Sequence, residues 1–176
     1  IAADLLGVEN VRIYHDQALY KEPGGGFTPW HQDQYYWPLS TTNTVTMWMP
    51  LIEINVDMSM LTFASASFKD GSVKNIGISD ESEKELDAYV SDKGYDITRA
   101  KTMHAGDATW HRGWTLHNAP GNNSKTTREV MTIIYFADGA EVTTPINEHQ
   151  ENDRNRWLDG LPPGALAASK LNPLVK

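Results

Sequence analysis

His31 and Asp33 stand two residues apart in Trp30-His31-Gln32-Asp33. In an extended strand, residues i and i+2 project to one face, so this imidazole and carboxylate could share a metal ion. An ordinary water-facing pair has the same sequence, and the pair alone does not define a site. A second imidazole, His117, ends Trp114-Thr115-Leu116-His117, downstream of a Gly106-Asp107 turn. A core histidine bonded to backbone has the same surroundings. Arg128 follows a turn-rich stretch, residues 118–127, and opens an apolar one, residues 129–137. Read as a hairpin connection, residues 118–127 set Arg128 opposite His117. An arginine at a turn often faces water. Beside a metal ligand it suits a carboxylate, which guanidinium binds through two parallel hydrogen bonds.

Taken together, two imidazoles and one carboxylate make the facial triad of non-haem Fe(II) oxygenases, which leaves open coordination positions. Two such positions suit the oxo-acid end of 2-oxoglutarate and one suits O₂. The far carboxylate then needs a cation, and Arg128 is placed to supply it.

The elements that position these residues are mostly short strands. Residues 11–21 are rich in β-formers and end at Glu22-Pro23-Gly24-Gly25-Gly26. Residues 30–37 are aromatic and stop at Pro38, and residues 44–49 carry Val45, Met47 and Met49 on one face. Residues 60–64, 96–103 and 108–110 are weaker strand signals. Residues 129–137 are apolar on both faces and are expected to be buried on both. One helix is predicted after Ser79 and Asp80, with Glu83 placed to close a capping box and Gly94 to stop it. Its stripe is Leu86, Tyr89 and Val90. Ile1 to Leu6 reads as the end of a helix stopped by Gly7. The chain beyond about Asn147 reads as an irregular wrap with one short helix. Many short strands with few helices indicate an all-β sandwich or barrel, and the triad favours a jelly roll of cupin type.

The 176 residues suit one domain. Apolar residues make up 40% and charged residues 22%, an ordinary globular balance. Cysteine is absent, which rules out disulfides, zinc–thiolate sites and thiol nucleophiles and is compatible with a reducing, cytoplasmic setting. The net charge is −8, and the 15 Lys and Arg are scattered without a basic stripe. Nucleic acid is therefore not an expected partner, and polyanionic substrates are disfavoured. No apolar run reaches the roughly 18–20 residues of a membrane helix. Ile1-Ala2-Ala3-Asp4 does not read as a signal peptide.

Six stretches carry a resemblance to the phytanoyl-CoA dioxygenase family of Fe(II)/2-oxoglutarate oxygenases. They are VRIYHDQALYKEPG (11–24), TPWHQDQYYWPL (28–39), VTMWMPL (45–51), MLTFASASFK (60–69), GWTLHNAPGNNSKTTREVMTIIYF (113–136) and LNPL (171–174). The resemblance implies a double-stranded β-helix and a hydroxylase that releases succinate and CO₂ while oxidising a small-molecule substrate. It implies that His31, Asp33 and His117 bind iron, and that Arg128 binds the C5 carboxylate of 2-oxoglutarate. It also implies that Gln17 and Trp48 line the 2-oxoglutarate pocket. One of Tyr35 and Tyr36, which follow the metal-binding strand, is expected to line the substrate pocket. His111 is a candidate partner of a metal ligand, His15 is expected to be chiefly structural, and His104 and His149 are expected at the surface.

The chain departs from the family where a Pro-Gly-Ser-His turn is usual, for it has Ala64-Ser65-Ala66-Ser67-Phe68. The family's N-terminal helices and strands are also missing. The natural protein is thus expected to be longer there; these residues alone are expected to be less stable, or to form a homodimer. Two other classes remain open: a cupin-type metalloenzyme that does not use 2-oxoglutarate, and a truncated, non-catalytic jelly-roll binding module.

Overall fold

The computed structural model describes residues 1–175. In chain order the elements are α1 (Ala2–Leu6), β1 (Val11–Lys21), β2 (Thr28–His31), β3 (Thr44–Pro50), β4 (Ile54–Asn55), β5 (Thr62–Ala64), α2 (Asp80–Lys93), β6 (Ile97–Arg99), β7 (Thr102–Met103), β8 (Thr109–Arg112), β9 (His117–Ala119), β10 (Arg128–Ala137), α3 (Glu148–Trp157) and β11 (Leu174–Val175). The strands form a five-stranded sheet ordered β11-β1-β10-β3-β8, a four-stranded sheet ordered β2-β9-β5-β6, and a small β4-β7 ladder. Every pairing is antiparallel. The two larger sheets curl around one cavity, as in a jelly roll.

Strand alternation sets the faces. In β10, Arg128, Val130, Thr132, Ile134 and Phe136 are buried and point inward, while Glu129, Met131, Ile133, Tyr135 and Ala137 are half-buried. The expectation that both faces are fully buried is therefore corrected. α1 covers the outer face only at one end, where Ala2, Ala3 and Leu6 pack with Val11 and Val45 and against Tyr135. In β1 the ladder skips a residue between Ile13 and His15, a bulge that lets neighbouring Tyr14 and His15 both be buried.

Helix α2 begins at Ser79, whose hydroxyl accepts from Ser82 N, and ends at Gly94 with φ of 65°. The partner in the capping box is Ser82, not Glu83. Glu83 instead accepts from Trp30 N at 2.7 Å and so pins β2 to the helix. Leu86 and Val90 are buried against Trp30, Ala64 and Leu116. Burial of each contributes roughly 1.5–3 kcal/mol. This anchors the strand that carries His31.

Three strand expectations change. Residues 30–37 do not form one strand: β2 ends at His31, and Asp33–Tyr36 is a turn of 3₁₀ helix. Residues 96–103 split into β6 and β7, which join different ladders. Residues 118–127 are not a hairpin connection, for β9 pairs with β2 and β5 while β10 pairs with β1 and β3. The segment crosses from one sheet to the other. Its buried Asn122 donates to Lys21 O and Thr126 O, each at 2.8 Å, and accepts from Ser124. Arg128 is thus opposite Lys21, not His117.

The link between β8 and β9 is packed tightly. A Cβ on Gly113 would meet Thr44 Oγ1 at 2.5 Å, Gln34 Oε1 at 2.6 Å and a Trp37 ring carbon at 2.7 Å. Gly113 O also accepts from Gln34 N, in the turn that begins at Asp33. Gly113→Ala is expected to destabilise the chain by about 1–3 kcal/mol through overpacking. Chemical unfolding of the variant checks this, and an unchanged midpoint would show that the packing is looser than described.

Candidate metal centre and adjoining cavity

His31 ends β2, His117 begins β9, and these residues pair directly across the strands. Their rings lie 4.1 Å apart between centroids. Gln32 is extended, with φ −127° and ψ 121°, so Asp33 returns to the side of His31 although it belongs to the 3₁₀ turn. The i, i+2 argument therefore holds for a different backbone than a continuous strand. One ligand atom from each of His31, Asp33 and His117 lies within 4.8 Å of the others.

Backbone bonds orient the rings. His31 Nδ1–H donates to Pro29 O at 2.7 Å, and His117 Nδ1–H donates to Thr115 O at 2.9 Å. A neutral ring bonded in this way leaves a lone pair on Nε2. Both Nε2 atoms lie 3.6 Å from Asp33 Oδ1. Asp33 Oδ2 is engaged elsewhere, accepting from Thr46 Oγ1 at 3.1 Å and from His111 Nε2 at 3.2 Å. Burial favours the neutral forms of both acid and base. At Asp33 the opposing pull of His117, His111 and His31 wins and holds the carboxyl well below the usual range. Burial and the neighbouring His31 hold His117 neutral, well below the usual imidazole range. Two imidazoles and a carboxylate thus converge, a ligand set that fits a divalent cation.

The cluster opens on a cavity of about 510 Å³ between the sheets, within the usual size range of small-molecule sites. Its floor is the inner face of β1 and β10, with His15 opposite Ile134, Gln17 opposite Thr132, Leu19 opposite Val130 and Lys21 opposite Arg128. One end is cationic. Arg128 is 5% exposed, donates from Nη1 to Ser59 O at 2.9 Å, and lies 5.5 Å over the Trp48 ring. Its Nε is buried with no partner, and no carboxylate among the described residues pairs with it. Burial lowers Arg128 to about 10, so it is still a cation at neutral pH. Burial and then the charge of Arg128 bring Lys21 down to about 8, while its Nζ donates to Thr28 Oγ1 and Pro120 O. The other end is walled by α3 through Asp153, Arg156 and Trp157.

The structure brings His31, Asp33, His117, Arg128, Gln17 and Trp48 to this cavity. Tyr36 lines it too, whereas Tyr35 packs edge-on against Tyr36 and beside His149. His111 contacts Asp33, and His104 and His149 are exposed. His15 lies in the cavity wall rather than in a purely structural position. Thr46, Lys21, Ser59 and the α3 residues carry no motif in the sequence that marks them for this site. The one signal is at Thr46, which alternates with Trp48 along β3.

Two curled antiparallel sheets around a His-x-Asp and distal His cluster define a class of jelly-roll proteins with a two-histidine, one-carboxylate set suited to a metal ion. Within that class the chain belongs to the phytanoyl-CoA dioxygenase (PhyH) family, whose profile matches residues 1–130. A probable alpha-ketoglutarate-dependent hypophosphite dioxygenase of Stutzerimonas stutzeri is 25% identical over 135 residues, which are 75% of this chain and 47% of that protein. The chain thus spans about half the length of that curated relative. Among solved structures, the non-haem alpha ketoglutarate-dependent carbocyclase SnoK from nogalamycin biosynthesis superposes with a TM-score of 0.80 at 24% identity, covering 100% of this chain and 66% of its own. EctD from S. alaskensis, solved with 2-oxoglutarate and 5-hydroxyectoine, superposes with a TM-score of 0.70 at 22% identity, covering 83% and 51%. These two likenesses establish the fold. No helix among the described residues is long and apolar enough to cross a membrane.

Proposed function

We propose that the chain is a single oxygenase domain in which His31, Asp33 and His117 hold Fe(II) and Arg128 holds the C5 carboxylate of 2-oxoglutarate, and that it hydroxylates a small organic substrate. Iron with 2-oxoglutarate, when bound, supplies the activation of O₂: one oxygen atom goes to succinate as CO₂ is lost, and the other enters a substrate C–H bond. The remaining work falls to side chains. Nδ1–H bonds to Pro29 O and Thr115 O aim the two Nε2 lone pairs. Thr46 and His111 hold Asp33 Oδ2 so that Oδ1 faces the same point. Gln17 and Trp48 wall the cosubstrate's length, and Tyr36 and Trp37 keep the opposite side enclosed.

The observation that carries the reading is the buried guanidinium with an unused Nε and no counter-ion among the described residues. A buried charge without a partner is strongly unfavourable, so this one is best explained by a carboxylate ligand. It also weighs against a cupin enzyme that does not use a 2-oxo acid. Anaerobic calorimetry with Fe(II) is expected to show saturable 2-oxoglutarate binding, and added O₂ is expected to give succinate. Absence of both would leave the binding-module reading in place.

Asp33 also bears on the outcome of the reaction. Halogenation by this chemistry requires a position on iron for chloride, and here a carboxylate is available to fill it. Once a substrate is in hand, product mass spectrometry in excess chloride is expected to show a gain of one oxygen atom. A chlorinated product would refute the assignment of Asp33.

A further inference from the structure

The end of the cavity opposite Arg128 carries unused charge of both signs. Asp153 and Arg156 lie three residues apart on α3, and both line the cavity. At this spacing opposite charges usually pair. On the same helix Glu151 and Arg154 do pair, at 2.6 Å. Asp153 and Arg156 do not. Among the described residues Asp153 accepts only from Tyr14 Oη, at 3.1 Å, and burial raises it to about 6 although the Tyr14 bond and Arg156 oppose the rise. Arg156 has no hydrogen bond or ion pair among the described residues; its guanidinium lies 4.5 Å over the Trp157 ring. Trp157 in turn stacks on His15 at 4.3 Å and 26°. His15 is buried with Nδ1 unpartnered, and burial lowers it to about 4, so it presents a neutral ring.

The wall thus runs from a neutral imidazole near the metal cluster, across an indole, to a free guanidinium at the rim, with a carboxylate beside it. We propose that this end binds a small α-amino acid, its ammonium group on Asp153, its carboxylate on Arg156, and its side chain along Trp157 and His15 towards His31, Asp33 and His117. Side chains three apart on a helix are about 5–6 Å apart at Cβ, which suits two charges on one carbon better than charges at the ends of a chain. Read as the oxygenase substrate, this ligand rests on the function proposed above; its binding does not.

The test uses the full chain and the twenty common L-α-amino acids, each with its N-acetyl and methyl-ester forms. Binding is read by quenching of tryptophan fluorescence. At least one free amino acid is expected to saturate the signal, with each blocked form weaker by about tenfold or more, as for the loss of a charge-assisted contact. Asp153→Asn, which keeps an acceptor for Tyr14, is expected to erase the preference against the N-acetyl form. Arg156→Gln, at an exposed position, is expected to erase the preference against the ester. No saturable binding, equal binding of blocked forms, or unchanged preferences in the folded variants would each overturn the proposal. Calorimetry of 2-oxoglutarate on the unaltered chain separates the two readings. If the amino acid binds and 2-oxoglutarate does not, the oxygenase reading fails and this site stands; the reverse result removes this site alone.

Discussion

Replacing Arg128 with Ala is expected to weaken 2-oxoglutarate binding by about 2–5 kcal/mol, roughly 30-fold to several thousand-fold. The size follows from what the side chain lacks. Its Nη1 is engaged by Ser59, but Nε is unused, and the cation has no carboxylate partner among the described residues. Two parallel bonds to a ligand carboxylate would complete it. Lys in its place restores charge but not the planar fork, so Arg128→Lys is expected to recover only part of the loss. The same substitution should leave metal binding intact, because Arg128 is not one of the clustered ligand candidates. Without ligand, removal of an uncompensated buried charge offsets the lost contacts to Ser59 and Trp48, so the unfolding midpoint should move little. Calorimetry with iron bound is the measurement, and normal 2-oxoglutarate affinity in Arg128→Ala would end the assignment.

Asp33→Ala is expected to reduce Fe(II) affinity by about 100-fold or more and to abolish succinate formation. Loss of a residue that merely orients a metal ligand typically costs 10–100-fold. Loss of the only carboxylate in the cluster should exceed that, since two neutral imidazoles would face the cation alone. His111→Phe provides the comparison. It removes one bond to Asp33 Oδ2 and leaves Thr46 in place, so it should fall within the lower range. A metal that binds the folded protein raises its melting temperature, so the iron-induced shift should be largest in the unaltered chain and nearly absent in Asp33→Ala. An undiminished shift in that variant would show that iron binds elsewhere.

Much of this was legible in the residues. Strand β1 follows from its β-formers and the Pro-Gly breaker after it, and β10 from a stretch rich in β-formers that is apolar on both faces. The cap and stop of α2 are read at Ser79 and Gly94 because each solves a local backbone problem. The cluster of His31, Asp33 and His117 is legible for a mixed reason: the i, i+2 rule assumes a continuous strand, the strand ends at His31, and one extended residue, Gln32, preserves the result. Arg128 was placed at the cavity by a hairpin that does not exist. It arrives from the opposite sheet, and a sheet crossover leaves no mark in turn composition that separates it from a hairpin. Glu83 failed as a capping residue because a better local partner, Ser82, was adjacent, leaving the carboxylate for Trp30 N. The α3 wall was least legible. Among its residues only Gln150 is buried, so no apolar stripe announces the helix or the face that meets the cavity.

The bulge in β1 bears on how this family can change by insertion and deletion. Tyr14 is the extra residue between Ile13, opposite Tyr135, and His15, opposite Ile134. Deleting it would close the ladder without rethreading the strand, and His15, Gln17, Leu19 and Lys21 would keep their partners on β10. The cationic end would be untouched, while Asp153 would lose the hydroxyl it accepts from. Tyr14 is also fully buried against Trp37 and Phe136, so a one-codon gap here would empty part of the core beneath α3 as well as alter the helix-covered end of the cavity.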